Sequence, residues 1–191
     1  MVKIDYGVVS LPKHQGDLNG DAYLAFVKND YALFAVMDGL GSGADAFRAV
    51  DRITGFFKEH THLNVKDLLL NCHLYVKGER GAAASVLRLN LVSGAFEYIG
   101  IGNVEGYIQG DKPVGLVNNN GTLGRAIPHL PYVNKGTVQS VNYIYIFSDG
   151  ISRNFLKQNS LLLQDPGDMA HKIEKEYMKN DDRTIMVIKI E

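Results

Sequence analysis

Tyr31-Ala32-Leu33-Phe34-Ala35-Val36-Met37-Asp38-Gly39-Leu40-Gly41-Ser42-Gly43 is the stretch on which the fold turns. From Tyr31 to Met37 the residues are apolar without alternation, which predicts a strand covered on both faces. The run stops at an acid followed by Gly39, Gly41 and Gly43. Glycines carry no side chain, so backbone carbonyls and amides there can approach a ligand closely. Upstream, Asp21 to Val27 reads as a second strand, and Lys28-Asn29-Asp30 joins the two as a hairpin. Downstream, Ala44 to about Phe57 carries Phe47, Val50, Ile53 and Phe57 at helical spacing.

The same reading extends along the chain. Val2 to Ser10 is a weakly alternating strand, followed by a polar loop from Pro12 to Gly20. Asn64 can cap a second helix with Leu68, Leu69, Cys72 and Val76 on one face. Ala83 to Leu91, Ala95 to Ile101 and Glu105 to Gln109 are short strands, broken at Val92-Ser93-Gly94 and Gly102-Asn103. Lys112 to Asn142, with Asn118-Asn119-Asn120-Gly121, Pro128 and Pro131, predicts loops and edge strands. Tyr143 to Ser148 is a strand that stops at Asp149-Gly150. Asp165-Pro166 starts a helix with Met169, Ile173 and Tyr177 as its stripe, and Thr184 to Ile190 is the final strand. No linker, repeat or low-complexity tract divides residues 1–191, so one α+β domain with helices outside the sheets is expected.

Composition narrows the function. An apolar content of 46% and a charged content of 21% suit a soluble domain with a real core. A net charge of -1 gives no electrostatic reason for a nucleic-acid or anionic-membrane partner. No apolar run is long enough to span a bilayer, and the Met1 end does not read as a signal peptide. The single cysteine, Cys72, excludes an internal disulfide and a metal–thiolate cluster, and fits a cytoplasmic setting. On its helix Cys72 reads as a small hydrophobe. His60 and His62 read as solvated surface.

The chemistry rests on acids at strand ends. Asp21, Asp38, Asp149 and Asp181 each stand beside a glycine or a second acid, with no cation directly adjacent. An isolated Asp-Gly is most often a turn. Gathered by a fold, however, four carboxylates repel one another and call for a positive partner. Their hard oxygens select Mg²⁺ or Mn²⁺, which makes metal-assisted hydrolysis of a phosphate ester the leading reading. The Lys-Ser/Thr of a nucleotide P-loop is absent after Gly41-Ser42-Gly43, and the spacing of a serine nucleophile elbow is absent too.

Four ordered motifs resemble the metal-dependent type-2C (PPM) serine/threonine protein phosphatases in their compact bacterial form. They are Asn19-Gly20-Asp21, Asp38-Gly39-Leu40-Gly41, Ser148-Asp149-Gly150 and Asp181-Asp182-Arg183-Thr184. Val36 to Gly43, Arg80-Gly81-Ala82-Ala83-Ala84-Ser85 and Gly100-Ile101-Gly102-Asn103-Val104 are similar, more narrowly, to the stand-alone phosphatases that reset the bacterial stressosome. The resemblance implies a four-layer α-β-β-α sandwich: two antiparallel sheets flanked by helix pairs. It implies two ions, Mn²⁺ or Mg²⁺. Asp38 would bridge them with the Gly39 carbonyl on one, Asp149 and Asp181 would hold the other, and Asp21 would bind directly or through water. Asp38, Asp149 and Asp181 would thus be the catalytic residues, activating water without a protein nucleophile. It further implies a monomer acting on a phosphorylated stressosome scaffold or kinase protein, as negative feedback on the general stress response.

The chain departs from the family at three places. No arginine occupies Gly16-Asp17-Leu18-Asn19, where many members grip phosphate, and Gly20 stands where they carry Glu. Asn103 replaces the Asp that holds a third ion, so that third site is expected to be weak or missing. Substrate choice is then expected to rest on docking of a folded partner, in part through Lys112 to Asn142. His14 is the one candidate general acid by position, and reads first as an exposed loop histidine. A non-catalytic phosphoprotein-binding module on the same fold and a small-molecule phosphatase are the alternatives.

Overall fold

The computed structural model describes residues 1–138, 141–157 and 165–191. Two sheets lie face to face. One has the order β1 (Ile4–Leu11), β11 (Arg183–Ile190), β10 (Val141–Phe147), β6 (Glu105–Gly110), β7 (Val114–Gly115). The other runs β2 (Asp21–Val27), β3 (Tyr31–Gly39), β4 (Ala82–Asn90), β5 (Ala95–Ile101), β8 (Asn118–Asn119), with β9 (Asn134–Thr137) also on β5.

β3 holds a central place in its sheet, between β2 and β4, and every residue from Tyr31 to Met37 is buried. That is the covered strand predicted from its unbroken apolar run. Phe34 and Val36 meet Leu87, Tyr98, Ile144, Ile146, Met186 and Ile188 in the layer between the sheets. Leu33, Ala35 and Met37 point the other way, onto α1 (Ala44–Glu59) and α2 (Val65–Tyr75). The opposite face of the first sheet packs Phe147, Ile185 and Val187 on α3 (Pro166–Tyr177) and on the 3₁₀ turn Arg153–Lys157. Each large apolar side chain so buried contributes about 1.5–3 kcal/mol.

The layers are those expected, with three differences. Among the described residues the second flank has one α-helix and a 3₁₀ turn rather than a helix pair. The β5–β8 pair is parallel, whereas the other strand pairs are antiparallel. On α1 the buried face is Ala46, Ala49, Val50, Ile53, Thr54 and Phe57, and Phe47 is 39% exposed. At about 100° per residue, Phe47 falls one step round from Ala46, off the stripe that faces β3.

The helix ends match their sequence signals. The Asn64 side chain accepts a hydrogen bond from Asp67 N at 2.9 Å. The Asp165 side chain accepts one from Gly167 N at 2.8 Å, with Pro166 at the first turn. Cys72 is buried, and burial pushes its thiol up to about 12, so it packs rather than reacts. Residues 112–138 hold the short strands and loops expected there, while 139 and 140 of that stretch lie outside the described residues. Among the described residues no helix is long and apolar enough to cross a membrane.

Candidate metal centre

The hairpin register sets the site. β2 and β3 pair antiparallel with Ala32 opposite Val27, and counting along the ladder places Asp21 opposite Asp38. Asp21 is the first residue of β2, and Asp38 is the last but one of β3. Asp21 is 5% exposed and Asp38 half-buried. Two carboxyls at one rung repel each other, and the surrounding core denies them water. Burial, reinforced by the charges of Asp182 and Asp149 against the opposing bonds from Ser148 and Thr184, raises Asp21 from 3.8 to about 7. Burial, reinforced by Asp21, Asp149, Asp181 and Asp182, raises Asp38 from 3.8 to about 8.

Asp21 is anchored from the opposite sheet. Ser148, just beyond β10, donates its hydroxyl to Asp21 Oδ2 at 2.6 Å. Ser148 Oγ accepts from Thr184 N at 2.9 Å, and Thr184 Oγ1 lies 2.8 Å from Ser10 Oγ. Asn19 Nδ2 completes the chain by donating to Ser10 Oγ at 3.0 Å. Nothing in the sequence singled out this polar seam. Its one signal was the occurrence of Ser10 and Thr184 in otherwise apolar strands. The other oxygen, Asp21 Oδ1, is buried without a hydrogen-bond partner among the described residues. A buried acceptor left so costs about 1–3 kcal/mol.

The late acids divide their work. Asp182 is buried, and its carboxylate accepts from Lys13 N at 2.7 Å and Gly20 N at 2.8 Å. It therefore ties the loop before β2 to the start of β11. This explains Gly20: a Cβ there would stand 2.6 Å from Asp182 Oδ2. Asp181 is exposed and accepts from Asp182 N at 2.9 Å. Asp149 is also exposed, with Asn103 Nδ2 donating to its Oδ2 at 2.7 Å. Asp149 stays beside the β11 start because Gly150 has no side chain; a Cβ would lie 2.0 Å from Asp182 O. Lys179 Nζ donates to the Asp149 carbonyl at 2.6 Å, a cation that the local sequence did not disclose.

Asn103 is placed by its loop. The Asn118 side chain donates to Gly102 O at 3.1 Å and to Val104 O at 2.6 Å, and Tyr98 OH donates to Asn118 Oδ1 at 2.8 Å. Gly102 has φ +83, and a Cβ there would meet Ala83 at 2.7 Å. His14 is exposed and lines a cleft of about 570 Å³ with Lys13, Ser42 and Asp182.

Do these residues suit divalent ions? Among the described residues no three His, Cys, Asp or Glu side chains stand ready to hold one ion together. Mg²⁺ does not require that, since it is usually held through one or two carboxylates and keeps several waters. The donor set is oxygen only, burial and then neighbouring charge raise the Asp21–Asp38 pair to about 7 and about 8, and Asp21 Oδ1 lacks a partner among the described residues. All three features fit a hard divalent cation.

No protein-family model matches the chain. The phosphoserine phosphatase RsbX of Bacillus subtilis (strain 168) is 31% identical over 97 residues, which is 51% of this chain and 49% of that relative. The match thus spans about half the length of the curated relative. Three solved structures superpose over nearly the whole chain. A chain from work on the bacterial stressosome as a modular system adapted to control secondary messenger signaling gives a TM-score of 0.86 at 23% identity, covering 99% of this chain and 100% of the other. RsbX in complex with magnesium gives 0.85 at 22% identity, covering 100% of each. The PP2C phosphatase domain of SpoIIE from Bacillus subtilis, solved with a fragment of its regulatory domain, gives 0.84 at 18% identity, covering 100% of this chain and 64% of that one. The fold is that of the PPM-type phosphatases. Within this PPM fold, the chain resembles RsbX both in sequence and in structure.

Proposed function

We propose that residues 1–191 act as one domain, a divalent-metal-dependent phosphatase that hydrolyses phosphoserine or phosphothreonine on a stressosome protein. The observation that carries this reading is the Asp21–Asp38 rung, one buried and one half-buried carboxyl whose protons are retained to about pH 7 and pH 8 by burial and by neighbouring acids. Such a rung is costly for a fold to keep unless a cation relieves it. Asp38, with the Gly39 carbonyl beside it, would hold ions together with Asp149 and Asp181, and Asp21 would reach them through its unpartnered oxygen. Bound there, Mn²⁺ or Mg²⁺ would supply Lewis acidity for attack of water on phosphorus and neutralise charge on the phosphoryl oxygens.

The chain's own groups have separate tasks. The Ser148 hydroxyl fixes Asp21 in orientation. Asp182 holds the loop of Lys13 and Gly20 against the site. His14, exposed on that loop, would be the candidate to give a proton to the departing serine or threonine oxygen. The stressosome reading is supported by the likeness to RsbX and to the chain solved in the stressosome work. Mn²⁺-dependent release of phosphate from a phosphorylated stressosome scaffold or kinase protein, compared with a small aryl phosphate and a short phosphopeptide, tests it. We expect the folded phosphoprotein to have much the highest kcat/KM. Equal efficiency on all three would point to a general or small-molecule phosphatase, and binding without turnover to a regulatory module.

A further inference from the structure

Three arginines distant in sequence meet beside the loop that leaves Asp38. Arg48 on α1, Arg80 before β4 and Arg125 in the loop after β8 line a cleft of about 470 Å³ together with Leu40 and Gly41. The cleft joins the candidate centre through the backbone. Leu40 N donates to Gly81 O at 3.0 Å, and Gly41 lies three residues beyond Asp38. Three residues of chain span at most about 11 Å. The cleft is therefore within reach of a side chain neighbouring one whose phosphoryl group sits at Asp38.

Arg80 and Arg125 are held by backbone contacts. Gly41 has φ +83, and a Cβ there would stand 2.4 Å from Arg80 Nη2, so the guanidinium rests on bare backbone. Arg125 Nε donates to the Arg80 carbonyl at 2.6 Å. Two acids share the region: Asp45 accepts from Arg48 and, at 3.4 Å, from Arg80, and Glu79 accepts from Arg52 at 2.5 Å. Three arginines thus line the cleft with two carboxylates, a local positive excess in a chain of net charge -1. The side chains of Arg48 and Arg80 are 66% and 43% exposed, so their forks of N–H donors remain open to solvent. That geometry suits carboxylate and phosphoryl oxygens, which guanidinium groups engage two at a time.

We propose that this cleft binds an oxyanion on the substrate protein, beside the phosphorylated residue being hydrolysed: the carboxylate of Asp or Glu, or a second phosphoryl group. The inference rests on the phosphoprotein reading above and adds its sequence preference. It supplies the recognition that the arginine-free loop before Asp21 lacks.

The test uses fluorescein-labelled phosphoserine peptides flanked by Glu, by Ala, or by a second phosphoserine. Anisotropy titrations without metal read binding directly. Arg80→Ala and Arg48→Ala should weaken the Glu-flanked or doubly phosphorylated peptide about tenfold, the size of one charge-assisted hydrogen bond, and the Ala-flanked peptide far less. A larger loss for the doubly phosphorylated peptide assigns the cleft to phosphoryl groups, and a larger loss for the Glu-flanked one to carboxylates. An equal loss on all three peptides, or none on any, overturns the proposal. Should Arg80→Ala fail to fold, Arg48→Glu, on an exposed side chain, carries the same comparison. With Mn²⁺, the ratio of kcat/KM for the acidic over the neutral peptide should fall in the same variants. A wild-type protein that releases no phosphate even from the folded phosphoprotein sinks the phosphatase reading, while the binding titrations still decide the cleft.

Discussion

Asp21 and Asp38 occupy opposite positions on one rung of the β2–β3 ladder, and the Ser148 hydroxyl from the other sheet holds Asp21 there at 2.6 Å. The pair is therefore set by a local hairpin and braced by a contact across the sandwich. Its energetics depend on pH. Both carboxyls keep their protons in the folded state well above the pH at which the unfolded chain releases them.

The metal-free protein should lose stability as pH rises from about 4 to about 8. In that window the folded state binds more protons than the unfolded chain, because Asp21 and Asp38 titrate at about 7 and about 8 rather than 3.8. Unfolding is then favoured with rising pH. Thermal melts across that range, in the presence of a chelator, check the sign. In Asp38→Asn the decline should be shallower, and metal-dependent phosphate release should fall at least a hundredfold. Near-full turnover by Asp38→Asn would remove Asp38 from the centre.

Added Mn²⁺ or Mg²⁺ should raise Tm more at pH 8 than at pH 5.5. Protons and cations compete for the same carboxylates, and an ion that binds only the folded state stabilises it by mass action. Melts with and without each ion measure this directly. A shift independent of pH would mean that the ions bind elsewhere.

Ser148→Ala should destabilise the protein by about 1–3 kcal/mol, since it strips the partner from Asp21 Oδ2 and from Thr184 N in a buried seam. For a chain of this size that is a fall in Tm of about 2–4 °C per kcal/mol. Divalent affinity should fall with it, because Asp21 loses its orientation. Denaturant titration and calorimetric metal binding separate the two effects.

Asn103→Asp should lower the stability of the metal-free protein and raise the number of divalent ions bound. The present amide donates to Asp149 Oδ2 at 2.7 Å, and the substitution would set a second carboxylate against it. Metal analysis of the dialysed protein counts the ions. An unchanged count would show that Asn103 is not the reason for a missing third site.

Much of the fold was legible because it follows from local pattern. The unbroken run Tyr31–Met37 reads as a strand covered on both faces, and it is one. Asn64 and Asp165 cap the helices they were expected to cap, because a capping oxygen needs only the amides two or three residues ahead. Phe47 was misplaced because it and Val50 are both at helical spacing, and only the direction of β3 decides which side of α1 is buried.

The sequence by itself determined which acids stand at strand ends and that each lies beside a glycine or a second acid. The tertiary structure alone decided what each one touches. Asp182 closes a loop on Lys13 and Gly20, more than a hundred and sixty residues away in the chain. Asp21 meets Ser148 across 127 residues, and Arg48, Arg80 and Arg125 face one cleft from three separate elements. Propensity and periodicity act within a turn or a strand. Charge repulsion, burial of a carboxyl and the fit of a side chain against a bare glycine depend on distances that exist only after both sheets have packed.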